Sequence, residues 1–175
     1  MKNCLTILMI MTTTSISMAQ DGRAQTNKKT FSRQTAVSTN IAADASIIWT
    51  LLTNGADISR WNSTIVSFEG DIVQGEKIKL KSIVDPSRVF TIKVKSVKAE
   101  NEMVWADGTA PFFRGVRTFS LKSNPDGTNT FSMIEKMGGL MYPMAAKHIP
   151  DFDDSFEQFA ADLKREAELI QNSKN

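Results

Sequence analysis

The chain has 175 residues, enough for one domain with its own core. Its 21 Lys and Arg against 19 Asp and Glu give a formal charge of +2, too near neutral for a dedicated nucleic-acid binder, which carries a clear basic excess. A single cysteine and a single histidine exclude a disulfide framework within the chain and a multi-histidine metal site.

Residues 1–19 read as a secretory signal. Lys2 supplies the positive start, residues 4–10 are apolar, and residues 11–18 form a softer Thr/Ser/Met stretch. Ser17 and Ala19 then place small residues at the −3 and −1 positions of a cleavage site. Cys4 lies before the apolar stretch and not after it, which argues against a lipoprotein signal. A buried N-terminal strand or helix is the competing reading, and the polar linker that follows directly argues against it. The apolar part falls short of the ~20 residues a membrane span needs, so no stable membrane anchor is expected after removal of the signal. Cleavage after Ala19 leaves 156 residues and takes away Lys2 and Cys4, for a formal charge of +1 and no thiol. The expected location is periplasmic or secreted.

Residues 20–30 (QDGRAQTNKKT) are polar, and the expectation is a disordered tail. Residues 31–175 follow as one domain, with no repeat and no second linker. From 31 to 41 the positions Phe31, Thr35, Val37, Thr39 and Ile41 keep a period of two, which predicts a strand. Asp44 is placed to cap a helix whose face is Ala45, Ile48, Trp49 and Leu52; Asn54-Gly55 stops it. A short polar turn carries residues 57–61.

The middle is strand-like throughout. Residues 65–72 give one strand, with a turn at Gln74-Gly75. Ile78, Leu80, Ser82 and Val84 then alternate with Lys77, Lys79 and Lys81, a core face against a solvated one. Asp85-Pro86-Ser87 is expected to turn the chain, and Phe90, Ile92 and Val94 continue the alternation. Residues 103–106 predict a short strand centred on Trp105. Residues 113–121 and 128–137 predict the last two, joined by Asn124-Pro125-Asp126-Gly127. The C-terminal segment changes period: Phe152, Phe156, Phe159, Leu163, Ala167 and Ile170 form a helical stripe. Pro150 suits its first turn, and Asp151, Asp153, Asp154 and Glu157 crowd the positive end of the helix dipole. The predicted class is therefore α+β. A curved antiparallel sheet wraps around one long C-terminal helix, with one or two short helices after the first strand.

Several local patterns, in this order and spacing, resemble the START and birch-pollen-allergen superfamily, also called SRPBCC, over roughly residues 35–169. They are Ile41-Ala42-Ala43-Asp44 before Ile48-Trp49-Thr50-Leu51-Leu52, then Ile58-Ser59-Arg60-Trp61-Asn62, and Phe68-Glu69-Gly70 running through Gly75 to Ile78. Met103-Val104-Trp105 and the pair of segments 115–121 and 127–138, with Glu135 in the second, complete them. Within the superfamily the chain looks most like the bacterial polyketide cyclase/dehydrase-like branch. The resemblance implies a helix-grip fold with a deep cavity between sheet and long helix, typically ~300–1,000 Å³, for an apolar or amphipathic small molecule. It implies no single function, because the fold hosts carriers, sensors and cyclases.

Residue by residue, the last hairpin can be put in register. Taking 124–128 as the loop pairs Ser123 with Asn129, Leu121 with Phe131, Phe119 with Met133 and Arg117 with Glu135. Arg117 and Glu135 then face inward, where neither charge is stable alone. They are either a structural ion pair that holds register or a polar anchor for a ligand carbonyl, carboxylate or hydroxyl. Trp61, Phe90, Trp105, Phe119 and Phe131 are candidate cavity walls or plain core. Met133, Met137, Met141 and Met144 either adapt to a ligand or fill an irregular core. Residues 138–149, which include Tyr142, are glycine-hinged and apolar, as a lid would be. The ligand-binding candidates are thus Trp61, Phe90, Trp105, Arg117, Phe119, Phe131, Met133, Glu135, Met137 and Tyr142.

The catalytic candidates are Arg117, Glu135 and His148. No Ser-His-Asp order, cysteine nucleophile or glycine-rich phosphate loop supports them, and a lone histidine ahead of a helix is ordinarily a surface residue. The expected function is an exported binding protein for an apolar or amphipathic molecule, lipid-like or polyketide-like, with no cofactor, no metal and no nucleic-acid partner. A cyclase- or dehydratase-type enzyme using Arg117 and Glu135 is the alternative, and an interaction domain with a collapsed cavity is the third reading. The sequence leaves the oligomeric state open.

Overall fold

Strand β2 (Ser32–Ile41) buries Arg33, Thr35, Val37, Thr39 and Ile41 and turns the residues between them outward. The same period of two runs through β4 (Lys77–Ser82), β5 (Asp85–Lys98), β6 (Glu102–Thr109), β7 (Phe113–Ser123) and β8 (Asn129–Gly138). With β1 (Gln25–Lys29) and β3 (Ile65–Glu69) they form one eight-stranded sheet in the order β1-β2-β8-β7-β6-β5-β4-β3, every neighbour antiparallel. This computed structural model describes residues 21–174. The signal expected over residues 1–19 lies outside the described residues.

Four helices and a 3-10 turn (Ala146–His148) complete the described residues: α1 (Ala45–Thr53), α2 (Ile58–Trp61), α3 (Tyr142–Ala145) and α4 (Asp153–Asn172). The stripe on α4 is the core-facing one, with Phe156, Phe159, Leu163 and Ala167 all buried. Phe159 is the hub. Its ring centroid lies 5.7 Å from Trp61, 6.0 Å from Phe119 and 6.2 Å from Phe131, so α2, β7 and β8 all meet the helix at one side chain. Further along, α4 packs on α1 and β2. The architecture is the α+β helix-grip arrangement expected from the sequence.

Four local expectations are corrected. The tail expected over 20–30 is instead partly a strand, β1, pairing Thr26 with Thr35 and Lys28 with Arg33. Polar bonds hold it. The Thr26 hydroxyl bonds Asp153 of α4 at 2.5 Å and Thr35 at 2.6 Å, and the Ala24 N–H donates to Glu157 at 3.1 Å. Such a strand carries no apolar period to read. The turn between β4 and β5 falls at Ile83-Val84, because Ser82 pairs with Asp85; Pro86 sits at the strand's start, where its missing N–H costs little. Residues 57–61 are not a turn alone but end in α2. Finally, α4 starts at Asp153, so Pro150 precedes the first turn, and its carbonyl accepts a bond from Arg33 at 2.9 Å.

One buried carboxylate ties α4 to the rest. Asp162 is 1% exposed and accepts from the Ser63 backbone N–H at 2.8 Å, the Ser63 hydroxyl at 2.6 Å, Gln158 at 2.9 Å and Arg165 at 2.7 Å. Burial pushes this carboxyl up, but the bonds from Ser63, Arg165 and Gln158 outweigh it and hold it below its ordinary value of 3.8. A depressed carboxyl stabilises the fold above its unfolded-state value and loses that contribution as pH falls through the folded one. Asp162→Ala is therefore expected to cost about 2–3 kcal/mol in urea unfolding at pH 7. The gap to the wild type should narrow below pH ~4. A gap that stays constant down to the acid unfolding limit would show that the carboxylate's charge is not what holds the helix.

Candidate functional site

Because neighbouring strands stay in register, inward residues line up in rungs across the sheet. One rung runs Trp105–Arg117–Glu135–Thr35 over β6, β7, β8 and β2. The next runs Asp107–Gly115–Met137–Arg33. The hairpin pairs Arg117 with Glu135, Phe119 with Met133 and Leu121 with Phe131, as the sequence predicts.

Where these rungs face the N-terminal half of α4, the layers do not close completely and a cavity remains. Its walls are Leu80, Phe90 and Ile92 from β4 and β5, Trp105 from β6, Met133 and Met137 from β8, and Phe152, Phe156 and Phe159 on the helix side. One corner is polar, made of Asp107, Gly115, Arg117 and Glu135 with Ser155 of α4. The cavity measures about 90 Å³, and about 750 Å³ when the free space of its open mouth is included. The expected 300–1,000 Å³ is thus met only with the mouth counted, because the helix phenylalanines project into the space between the layers.

Arg117 and Glu135 form the site's ion pair, Nε to Oε2 at 2.5 Å, with side-chain exposures of 22% and 9%. The Arg117 guanidinium also lies over the Phe156 ring, 5.1 Å from its centroid. Asp107 Oδ1 accepts the Gly115 backbone N–H at 3.1 Å, and no Lys or Arg pairs with Asp107 among the described residues. The indole N–H of Trp105 is buried without a partner. The corner thus presents carboxylate acceptors from Asp107 and Glu135 beside donors from Arg117.

Of the residues expected to bind a ligand, Phe90, Trp105, Arg117, Met133, Glu135 and Met137 line the cavity together. Trp61, Phe119 and Phe131 do not. They are buried behind its floor, packed around Phe159. Tyr142 stands outside, buried parallel to Phe113 with centroids 6.5 Å apart. His148 is exposed and does not line the cavity, and Met141 and Met144 are exposed as well. Residues 138–149 fold as a loop, α3 and a 3-10 turn, and no residue of this segment lines the cavity. Asp107 and Gly115 were missed. The signal existed, since a period of two carried past Ala106 puts Asp107 on the face of Trp105, and Gly115 on that of Arg117.

Comparison with family models finds no match, and none of the curated proteins matches the sequence. Solved structures match the fold. A START superfamily protein from Mycobacterium smegmatis superposes with a TM-score of 0.58 at 14% identity, over 78% of this chain and 98% of that one. Norcoclaurine synthase from Thalictrum flavum, a point mutant in complex with a transition-state analogue, gives 0.61 at 12% identity, over 85% and 100%. DynU16, a putative protein of the dynemicin biosynthetic locus, gives 0.60 at 14% identity, over 80% and 49%. At such identities the shared property is the fold, and the chain has a START-like helix-grip fold.

Glu135→Ala is expected to destabilise the protein by about 2–3 kcal/mol, below the ~3–5 kcal/mol of a fully buried broken pair because Arg117 reaches solvent in part. The double change Arg117→Met/Glu135→Met should lie within about 1 kcal/mol of the wild type. Urea unfolding of the three proteins checks this; a double variant weaker than Glu135→Ala would mean the pair itself contributes most of the stability.

Proposed function

We propose that this chain is a binding protein that holds an apolar or amphipathic small molecule, lipid-like or polyketide-like in its body, between the sheet and α4. The observation that carries this reading is the cavity: apolar side chains on both layers, charged side chains at one corner only, and a mouth that opens to solvent. A filled two-layer core would leave no such space. The START-like fold of the chain supports it, as a fold that hosts small-molecule sites. We further propose that the protein works outside the cytoplasm, on the reading of residues 1–19 as a secretory signal.

The cavity reading is tested with a neutral apolar fluorophore, N-phenyl-1-naphthylamine. One probe per chain should bind. At a free concentration of 100 Kd the folded state gains about 2.7 kcal/mol, a rise of roughly 5–10 °C in Tm for a domain of this size. Met133→Trp should weaken binding at least tenfold while the protein still melts cooperatively, since Met133 is buried in the cavity wall. No shift of Tm and no fluorescence change would leave an interaction domain as the better reading. For location, N-terminal sequencing of protein from its native host should begin at or near Gln20; a soluble cytoplasmic form that starts at Met1 would overturn export.

A further inference from the structure

From the polar corner we infer that the ligand carries an ammonium group on an apolar body, and that Asp107 and Glu135 bind it together. The inference rests on the binding role proposed above and narrows it to a class of ligand.

Gly115 is the key to the geometry. A Cβ placed on it would stand 2.4 Å from Asp107 Oδ1 and 3.2 Å from Glu135 Oε1. The two carboxylate oxygens therefore converge on one notch of the cavity wall and are no further apart than those distances end to end, 5.6 Å. That upper bound lies within the reach of one nitrogen donating two charge-assisted bonds of ~2.7–2.9 Å. Any side chain at position 115 would fill the notch.

Glu135 is shared between two tasks. Its Oε2 holds Arg117 Nε, while Oε1 faces the notch and takes no hydrogen bond among the described residues, although Glu135 is only 8% exposed. The Glu135 carboxylate thus offers one oxygen to each side, Arg117 and the notch. The charges of the lining are Arg117 against Asp107 and Glu135, a formal net of −1. Arg33, one rung along, does not line the cavity. Its guanidinium lies over Phe152, donates to the Pro150 carbonyl, and has Asp151 as a charged neighbour. An anionic ligand would add a third negative charge to the corner, and a neutral hydroxyl would leave Asp107 without a counter-charge. An ammonium makes the corner neutral and supplies donors for Glu135 Oε1 and for the lone pair that Asp107 Oδ1 keeps beside its bond from the Gly115 N–H.

The test compares three probes with one body on the full chain at ~0.1 M salt: 2-phenylethylamine as its ammonium form, 2-phenylethanol, and 3-phenylpropanoate. The expected result by calorimetry is that the ammonium binds about tenfold tighter than the alcohol and that the carboxylate binds weakest. In Asp107→Asn the ratio of ammonium to alcohol affinity should fall to near one, with folding checked by circular dichroism. Gly115→Ala, which fills the notch, should likewise remove the preference. Equal or tighter binding of the alcohol or carboxylate overturns the inference, as does an ammonium preference that survives both substitutions. If N-phenyl-1-naphthylamine binds and the ammonium shows no preference, only this inference fails. If neither it nor any of the three binds, the cavity reading fails with it.

Discussion

A single helix cannot cover an eight-stranded sheet, and most features of this molecule follow from that mismatch. Eight strands at ~4.8 Å spacing extend over about 34 Å, whereas a helix with its side chains is ~10–12 Å wide. The sheet must curl to bring its inward faces toward the helix, as its natural twist favours. Even curled, it is not covered uniformly. The C-terminal half of α4 presses Leu163 and Ala167 into the core against α1 and β2. The N-terminal half faces β4 to β8 across the cavity. Phe159 sits where the two regimes meet, part of the packed core on one side and of the cavity wall on the other.

What keeps the gap from closing is where the helix is tied. Its start is held by Thr26 to Asp153, Ala24 to Glu157 and Arg33 to the Pro150 carbonyl. Its middle is held through Asp162 to Ser63. Its end accepts the backbone N–H groups of Ala42 and Asp44 through Glu168 and Gln171. Each bond contributes little net stability, on the order of 1 kcal/mol, but each specifies a position. Apolar burial supplies the driving force without fixing where along the sheet the helix rests. The polar tethers do that, and the residual volume between the layers is their consequence.

This division explains what the sequence disclosed. Period two identified the inward faces of β4 to β8, and matched apolar partners, Phe119 with Met133 and Leu121 with Phe131, placed the last hairpin in register. Period 3.6 identified the stripe of α4. Neither period says which inward residues the helix touches, so Trp61, Phe119 and Phe131 could not be told from Phe90, Trp105 and Met133. All are bulky and inward; they differ only in whether α4 lies over them. The edge strand β1 escaped because its signal is main-chain pairing and two threonine bonds, not apolarity. Asp107 and Gly115 escaped for a different reason. Asp107 follows the predicted end of its strand at Ala106, whereas the ladder continues to Thr109, and Gly115 has no side chain to mark the face it shares with Arg117; both line the cavity.

The Arg117–Glu135 pair joins these threads. An inward ion pair is a poor source of net stability, since desolvation offsets most of its attraction. Its effect on register is different. Slipping β7 against β8 by one residue would turn the apolar set outward and leave Glu135 buried without its counter-charge, so the pair penalises every misaligned sheet. The same alignment brings Asp107 opposite Gly115 one rung away and turns the second Glu135 oxygen toward the notch that Gly115 leaves. The residues that hold the strands in place and the residues that face a ligand are therefore not separable here. A change that alters the corner's chemistry also changes the cost of misalignment, and the site's polar composition is constrained by folding as much as by binding.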